Sequence, residues 1–243
     1  MLSGGDSPER EISLLSGRAV YEACLENGFD TSTYDPINGP EGLEEATKGV
    51  DVVLPILHGK NGEDGVIQRQ LEDMGVAYLG AGSEVSKICF DKEKTHQLLQ
   101  HEGVRMPEYA IVSREDLLTH KLFKSPFVLK PQYGGSSLDM IVVRDITNEK
   151  LLYVEKLLKI HKQMLLEELI DGQEITVPVL GGKALPVIAI VPPINEEFDY
   201  KNKYNGATKE IVPVPEKLVS LKLQEQAQEL ARTVQSILGV RHL

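Results

Sequence analysis

The sequence predicts a layered α/β or α+β protein. Short β-rich runs alternate with amphipathic helical stripes, and no fixed-period repeat or low-complexity tract interrupts the alternation. Apolar residues at 41% and charged residues at 26% match globular usage and exclude a disordered chain. The 243 residues suffice for one to two domains, or for more small ones. A net charge of −11, from 26 basic and 37 acidic residues, leaves no broad basic face, which excludes nucleic acid as a main partner. An anionic ligand would need a local cluster of lysines. Cys24 and Cys89 lie far apart without metal or redox spacing, as in a reduced, cytosolic protein. The N-terminus has no apolar signal core. The longest apolar stretch, 185–194, contains three prolines and is too short to span a membrane.

The elements follow in order. Ser7-Pro8 predicts a helix start, with serine as cap and proline at the first helical position. Ile12, Leu15, Ala19 and Ala23 form its apolar stripe and Gly28 its stop. Residues 51–57 (DVVLPIL) read as a buried strand weakened by Pro55, and a glycine-rich loop, HGKNGEDG at 58–65, follows. Ile67, Leu71 and Met74 mark a helix closed by Gly75, and 77–79 a short strand. Residues 80–83 (GAGS) look like a boundary. Beyond them come a charged helix at 91–101 and strands at 108–112, 127–130 and 138–143. A helix through Leu151, Val154 and Leu158 and a strand at 164–170 follow. Runs 175–180 and 185–190 flank Gly181-Gly182-Lys183, a hairpin signal. Residues 195–213 are polar and aperiodic, as in a lid or linker. Leu223, Ala227, Leu230, Val234 and Leu238 make a last helix closed by Gly239. Gly4-Gly5 leaves little room for a strand before the first helix, and the last helix leads into nothing; a βα unit wants a strand on each side of its helix. The expectation is therefore an internal piece of a longer protein.

Five motifs can carry chemistry. In FVLKPQYGGSSLDM (127–140) a strand ends in Lys130 and a Gly/Ser turn follows, whose N–H groups can surround phosphate oxygens; a plain hairpin fits the same residues. The spacing is not that of a P-loop. In LLEELIDGQEITV (165–177), Glu167, Glu168 and Glu174 can accept from ribose hydroxyls, or simply form a solvated strand face. At 4–11, Glu9 and Glu11 at a helix start suit a cationic group better than an anion, although acids are common in first turns. His58, Glu63 and Asp64 follow a strand end, where open α/β sheets collect ligands. Lys203-Tyr204 in the polar segment would suit a lid over a nucleotide.

Taken in order, these stretches resemble one family, the D-alanine–D-alanine ligases of the ATP-grasp fold. The resemblance rests on GGDSPEREISLLSG, LHGKNGEDGVIQ, YLGAGSEVSKICFDKEKT, FVLKPQYGGSSLDM, LLEELIDGQEITVPVLGG and FDYKNKYNGATKEIVP. It implies a Rossmann-like three-layer substrate-binding domain at 1–82 with its first strand largely missing. A central ATP-grasp subdomain at 83–168 and an incomplete C-terminal one at 169–243 would hold ATP between them. By position, Lys92, Lys130 and Lys203 would serve the ATP phosphates, Glu167, Glu168, Ile170 and Glu174 the adenine and ribose, and Phe198 the adenosine, with Ser137 also binding ATP. Glu9, Ser136 and Tyr204 match a hydrogen-bonding triad over the first substrate. Glu9 would also face the first D-alanine's ammonium and His58 its carboxylate, with Glu63 supporting the loop.

The implied chemistry is ATP-dependent joining of two D-alanines through an acyl phosphate, for peptidoglycan precursors, with Mg2+ or Mn2+ on the phosphates, in the cytoplasm and in a possible homodimer. Tyr204 favours an amine as the second substrate. Two departures stand out. Asp139 occupies a place where the family usually has glycine, and the family's metal-binding residues and transition-state arginine would lie beyond Leu243. The chain alone is therefore expected to be inactive. Two other readings fit the motifs: an ATP-grasp ligase for another acid and amine, or a nucleotide-binding fragment without catalysis.

Overall fold

The computed structural model describes residues 1–194 and 196–241. The polar segment's first residue, Asn195, and the last two residues lie outside them. The chain divides into two compact units, one of residues 1–90 with the segment from 239, the other of residues 91–238.

The first unit is a parallel α/β arrangement. Strand β1 (Leu2–Ser3) pairs with β2 (Pro55–Ile56), Leu2 bridges Tyr34, and Val53 bridges Tyr78, all in parallel. A strand of only two residues precedes the first helix, in the little room the sequence leaves for it. The strand expected at 51–57 is reduced to Val53 and β2. Leu2, Leu43, Val53, Leu57, Ile67 and Leu71 form the core.

Helix α1 spans Arg10–Glu26 and corrects two expectations. It starts after Glu9 rather than at Ser7, whose hydroxyl accepts from Glu9 N (3.2 Å) and donates to the His58 carbonyl (2.7 Å). Its buried residues are Ser13 and Gly17, not the expected stripe; Leu15 is 67% exposed. Small residues face inward because the helix lies directly on β1: a Cβ on Gly17 would sit 2.5 Å from the Ser3 Cβ. The helices α2 (Pro40–Ala46), α3 (Val66–Asp73) and α4 (Ser83–Phe90) complete the unit. In α3, Ile67 and Leu71 are buried as the spacing predicts.

The second unit opens with α5 (Lys92–His101), where the Asp91 carboxylate caps Lys94 N. Four strands, β3 (Tyr109–Val112), β4 (Phe127–Pro131), β5 (Ile141–Val143) and β6 (Met164–Glu168), form an antiparallel sheet in the order β3-β6-β4-β5. The short α6 (Arg114–Leu117) and α7 (Asn148–Ile160) complete this layer, and Phe127, Leu129, Leu157, Met164 and Leu166 lie in its core.

The expected hairpin turns at Gly181-Gly182, whose φ values of 56° and 75° suit glycine. Its ladder is split: β8 (Val179–Leu180) pairs with β9 (Lys183–Ala184), while β7 (Ile175–Thr176) pairs with β10 (Ile188–Val191).

The polar segment is ordered, contrary to its aperiodic reading. It forms α8 (Tyr200–Tyr204) and β11 (Lys209–Ile211), which adds to β10. Polar bonds replace an apolar core there. Asp199 caps Asn202 N (2.8 Å), and buried Asn202 donates to Glu196 (2.7 Å) and the Glu197 carbonyl (3.0 Å). The last helix, α9 (Leu221–Leu238), forms as expected, but Leu223 and Leu230 of its stripe are exposed. Among the described residues no helix is long and apolar enough to cross a membrane.

Candidate functional site

Strand alternation builds the main site of the second unit. On β4, Phe127 and Leu129 enter the core, so Val128 and Lys130 take the opposite face. Register then sets Val128 beside Glu167 of β6 and Val142 of β5. A cavity of about 630 Å3 lies there, lined by Val128, Met140, Val142 and Ile190 and carrying Lys130 and Glu167. Ser137, Glu168, Ile170, Glu174 and Phe198 also border it. Apolar walls with a few placed charges suit a flat heteroaromatic ligand with an anionic tail.

Two lysines supply the cationic end. Lys130 Nζ donates to Glu167 Oε2 at 2.5 Å, and Lys92 Nζ donates to the Gly134 carbonyl at 2.6 Å. Burial, with repulsion from Lys130, brings the Lys92 ammonium down to about 8, against the pull of Asp91 and Glu167. Burial pushes Glu167 up, but the His96 hydrogen bond and Lys130 outweigh it and leave the carboxyl below its usual range.

The glycine-loop backbone is unusual. Ser136, Ser137 and Asp139 all have positive φ (53°, 56° and 53°), which curls the loop. Its hydroxyls reach the α8 segment: Ser136 Oγ lies 3.0 Å from Tyr204 OH, and Ser137 Oγ donates to the Phe198 carbonyl at 3.2 Å. Asp139 meets His161 Nε2 at 2.7 Å. Lys203 Nζ sits 5.9 Å from the Tyr204 ring centre. Burial and the nearby Glu197 raise Glu174, with Lys203 opposing.

In the first unit, the predicted substrate residues gather at one loop. Glu63 Oε2 accepts from Gly59 N at 2.9 Å, and its other oxygen lies 3.7 Å from His58 Nδ1. Glu9 is buried, and a Cβ on Gly59 would come within 2.7 Å of Glu9 Oε2. Glycine is thus required for the close approach, besides its φ of 71°. A crevice of about 300 Å3 at the carboxyl ends of β1 and β2 is lined by His58 and Asn61, but not by Glu9 or Glu63.

Thus Lys92, Lys130 and Glu167 converge, Ser136 meets Tyr204, and Ser137 meets the Phe198 backbone. Sequence reasoning missed His96 and Arg144. His96 follows Lys92 by four residues, one helical turn, which was a legible signal. Arg144 binds Glu197 (2.9 Å) and Asp171 (3.0 Å) at the cavity rim, and no motif announces it. Among the described residues, no group of three His, Cys, Asp or Glu is placed to hold a metal ion.

Two antiparallel sheets sharing a cavity that carries Lys130 define an ATP-grasp fold, which follows a parallel α/β unit in the sequence. Comparison with known proteins agrees. Residues 32–81 match the family model of the D-ala D-ala ligase N-terminus and 98–243 that of its C-terminus. The D-alanine–D-alanine ligase of Clostridium perfringens is 38% identical over 90% of this chain and 73% of its own length. That of Zymomonas mobilis is 37% identical over 99% of this chain and 75% of its own. The Bacillus anthracis enzyme, solved in complex with ATP, superposes with a TM-score of 0.80 at 29% identity, over 99% of this chain and 77% of that one. The chain belongs to the D-alanine–D-alanine ligase family.

Proposed function

We propose that this protein joins two molecules of D-alanine into D-alanyl-D-alanine with ATP, in the cytoplasm, for peptidoglycan precursor synthesis. One carboxylate oxygen attacks the γ-phosphorus and ADP leaves. The second amine attacks the acyl carbon of the acyl phosphate, phosphate leaves, and the ammonium's protons are released. The observation that carries this reading is Lys130 held on Glu167 beside an apolar cavity, in a chain similar over nearly its whole length to enzymes of that name.

Val128, Met140, Val142 and Ile190 sandwich the adenine, with the backbone of Glu168 and Ile170 along its edge and Phe198 beside the adenosine. Glu174 accepts from the ribose. Lys92, Lys130, Lys203 and the Ser137 hydroxyl bind the phosphates and stabilise charge in transfer. Ser136 and Tyr204 close α8 over the acyl phosphate and keep water out. Glu9 binds the first D-alanine's ammonium and His58 its carboxylate, on a loop propped by Glu63. Mg2+ or Mn2+ would accompany ATP; among the described residues no group of three His, Cys, Asp or Glu is placed to hold it, and no step is assigned to it. A homodimer is part of the same reading. The same reading has the 243 residues alone binding ATP without turning it over.

Calorimetric titration of ATP, with and without D- or L-alanine, tests the reading. ATP should bind, and D-alanine but not L-alanine should strengthen it. No ATP binding overturns the nucleotide site, and equal response to both alanines overturns the substrate. D-alanine-dependent ADP release would support the ligase and overturn the expected inactivity.

A further inference from the structure

The two lysines of the site stand on separate elements, Lys92 at the start of α5 and Lys130 on β4. Their spacing depends on how α5 is fixed to the sheet. One tie lies at the helix start, where Lys92 N donates to the Gln132 carbonyl (3.0 Å) and Gln132 Nε2 donates to Asp91 (3.0 Å). A second lies one turn further along. His96, 5% exposed, meets Glu167 Oε1 through Nε2 at 2.9 Å, and its ring lies against Tyr109 at 4.5 Å between centres. The other Glu167 oxygen holds Lys130.

We infer that His96 is a positioning residue that sets the spacing of the two phosphate-binding lysines, acting through Glu167. The inference rests on the nucleotide reading above and adds a residue to it. His96 Nδ1 has no hydrogen-bond partner among the described residues, so the ring donates through Nε2. Glu167, held below its usual range by that bond and by Lys130, keeps its negative charge for Lys130. The carboxylate is fixed at both oxygens, so the Lys130 ammonium has one anchor point rather than a range of rotamers. Since Lys92 and His96 share a face of α5, the same bond that fixes Lys130 also fixes the helix that carries Lys92.

The test titrates ATP, ADP and adenosine into the 243-residue protein and into two variants. His96→Phe keeps a ring beside Tyr109 and removes the donor; His96→Gln restores a donor. His96→Phe should weaken ATP about tenfold or more, ADP less, and adenosine by less than about twofold. His96→Gln should recover most of the ATP loss. A role confined to keeping the cavity folded would weaken ATP and adenosine alike, and that result overturns the inference. Unchanged ATP affinity overturns it too. If His96→Phe does not fold, a cycle with His96→Asn and Lys130→Met decides. The asparagine, too short to reach Glu167, should weaken ATP in the parent and have a clearly smaller effect beside Lys130→Met, where only the tie to Lys92 is left to lose. An undiminished effect there overturns the inference. A parent protein that binds neither ATP nor adenosine refutes the nucleotide reading itself, which differs from a parent and His96→Phe that bind both equally.

Discussion

Lys92 should make nucleotide binding take up a proton. Its ammonium has been brought from 10.5 down to about 8 by burial and by Lys130. The unfolded chain holds that proton more tightly than the folded one between those values. Stability should therefore rise with pH from about 8 to about 10.5, by at most about 3 kcal/mol. Ligand binding runs the other way. A polyphosphate favours the charged lysine, so ATP affinity should be level below about pH 8 and fall above it, at most tenfold per pH unit and about 300-fold in all if the bound lysine regains its ordinary value. At pH 8.5 about three quarters of the free sites are neutral, so each binding event should take up about 0.8 proton. ATP's own phosphates are already ionised there and contribute nothing. Calorimetry at pH 8.5 in buffers of different ionisation enthalpy reads the uptake directly, and Lys92→Met should abolish it and flatten the pH profile. Zero uptake, or the same uptake in Lys92→Met, would refute the assignment of a buried lysine at the phosphates.

Three further outcomes follow from the same geometry. Lys130→Met removes one of two partners of a buried carboxylate, so thermal denaturation should show about 2–3 kcal/mol lost, and calorimetry an ATP affinity weaker by about tenfold or more; unchanged values in both would contradict the Glu167 bridge. Tyr204→Phe loses a bond of 3.0 Å on an exposed hydroxyl, so stopped-flow displacement should show ATP leaving about two- to tenfold faster, and an unaltered rate would argue against the Ser136 contact as a lid closure. Phe127→Ala empties a fully buried site beside Phe123, ring centres 5.4 Å apart, and should cost about 3–5 kcal/mol by urea unfolding; a loss below about 1 kcal/mol would contradict the placement of the core.

What the sequence made legible follows its physics. Strands 127–130 and 164–170 were readable as short apolar runs, with Phe127, Leu129, Met164 and Leu166 in the core, although the second ends at Glu168. Helix α3 was readable from apolar residues at period 3.6. The inward face of α1 was not, because a helix lying against a strand buries Ser13 and Gly17 there and leaves Leu15 in solvent, inverting the hydrophobic rule. Helix α8 and strand β11 were hidden by polar composition. The Asp199 cap and the buried Asn202 amide do there what apolar packing does elsewhere, and a bonding network has no period. In the site, Lys92, Lys130 and Glu167 were each identifiable by motif. Their convergence was not, since it depends on β4–β6 register across 37 residues of sequence. Asp139 was visible as an unusual carboxylate, yet its partner His161 comes from the end of α7.

The central claim is that the cavity between β4, β5, β6 and β10 holds the adenine ring. Photolabelling with 2-azido-ATP, followed by mass spectrometry of the labelled peptides, tests it most directly. Attachment should fall within 128–144, 167–174 or 190–198 and be suppressed by unlabelled ATP. Label confined to other parts of the chain, or label that excess ATP does not displace, would contradict the account.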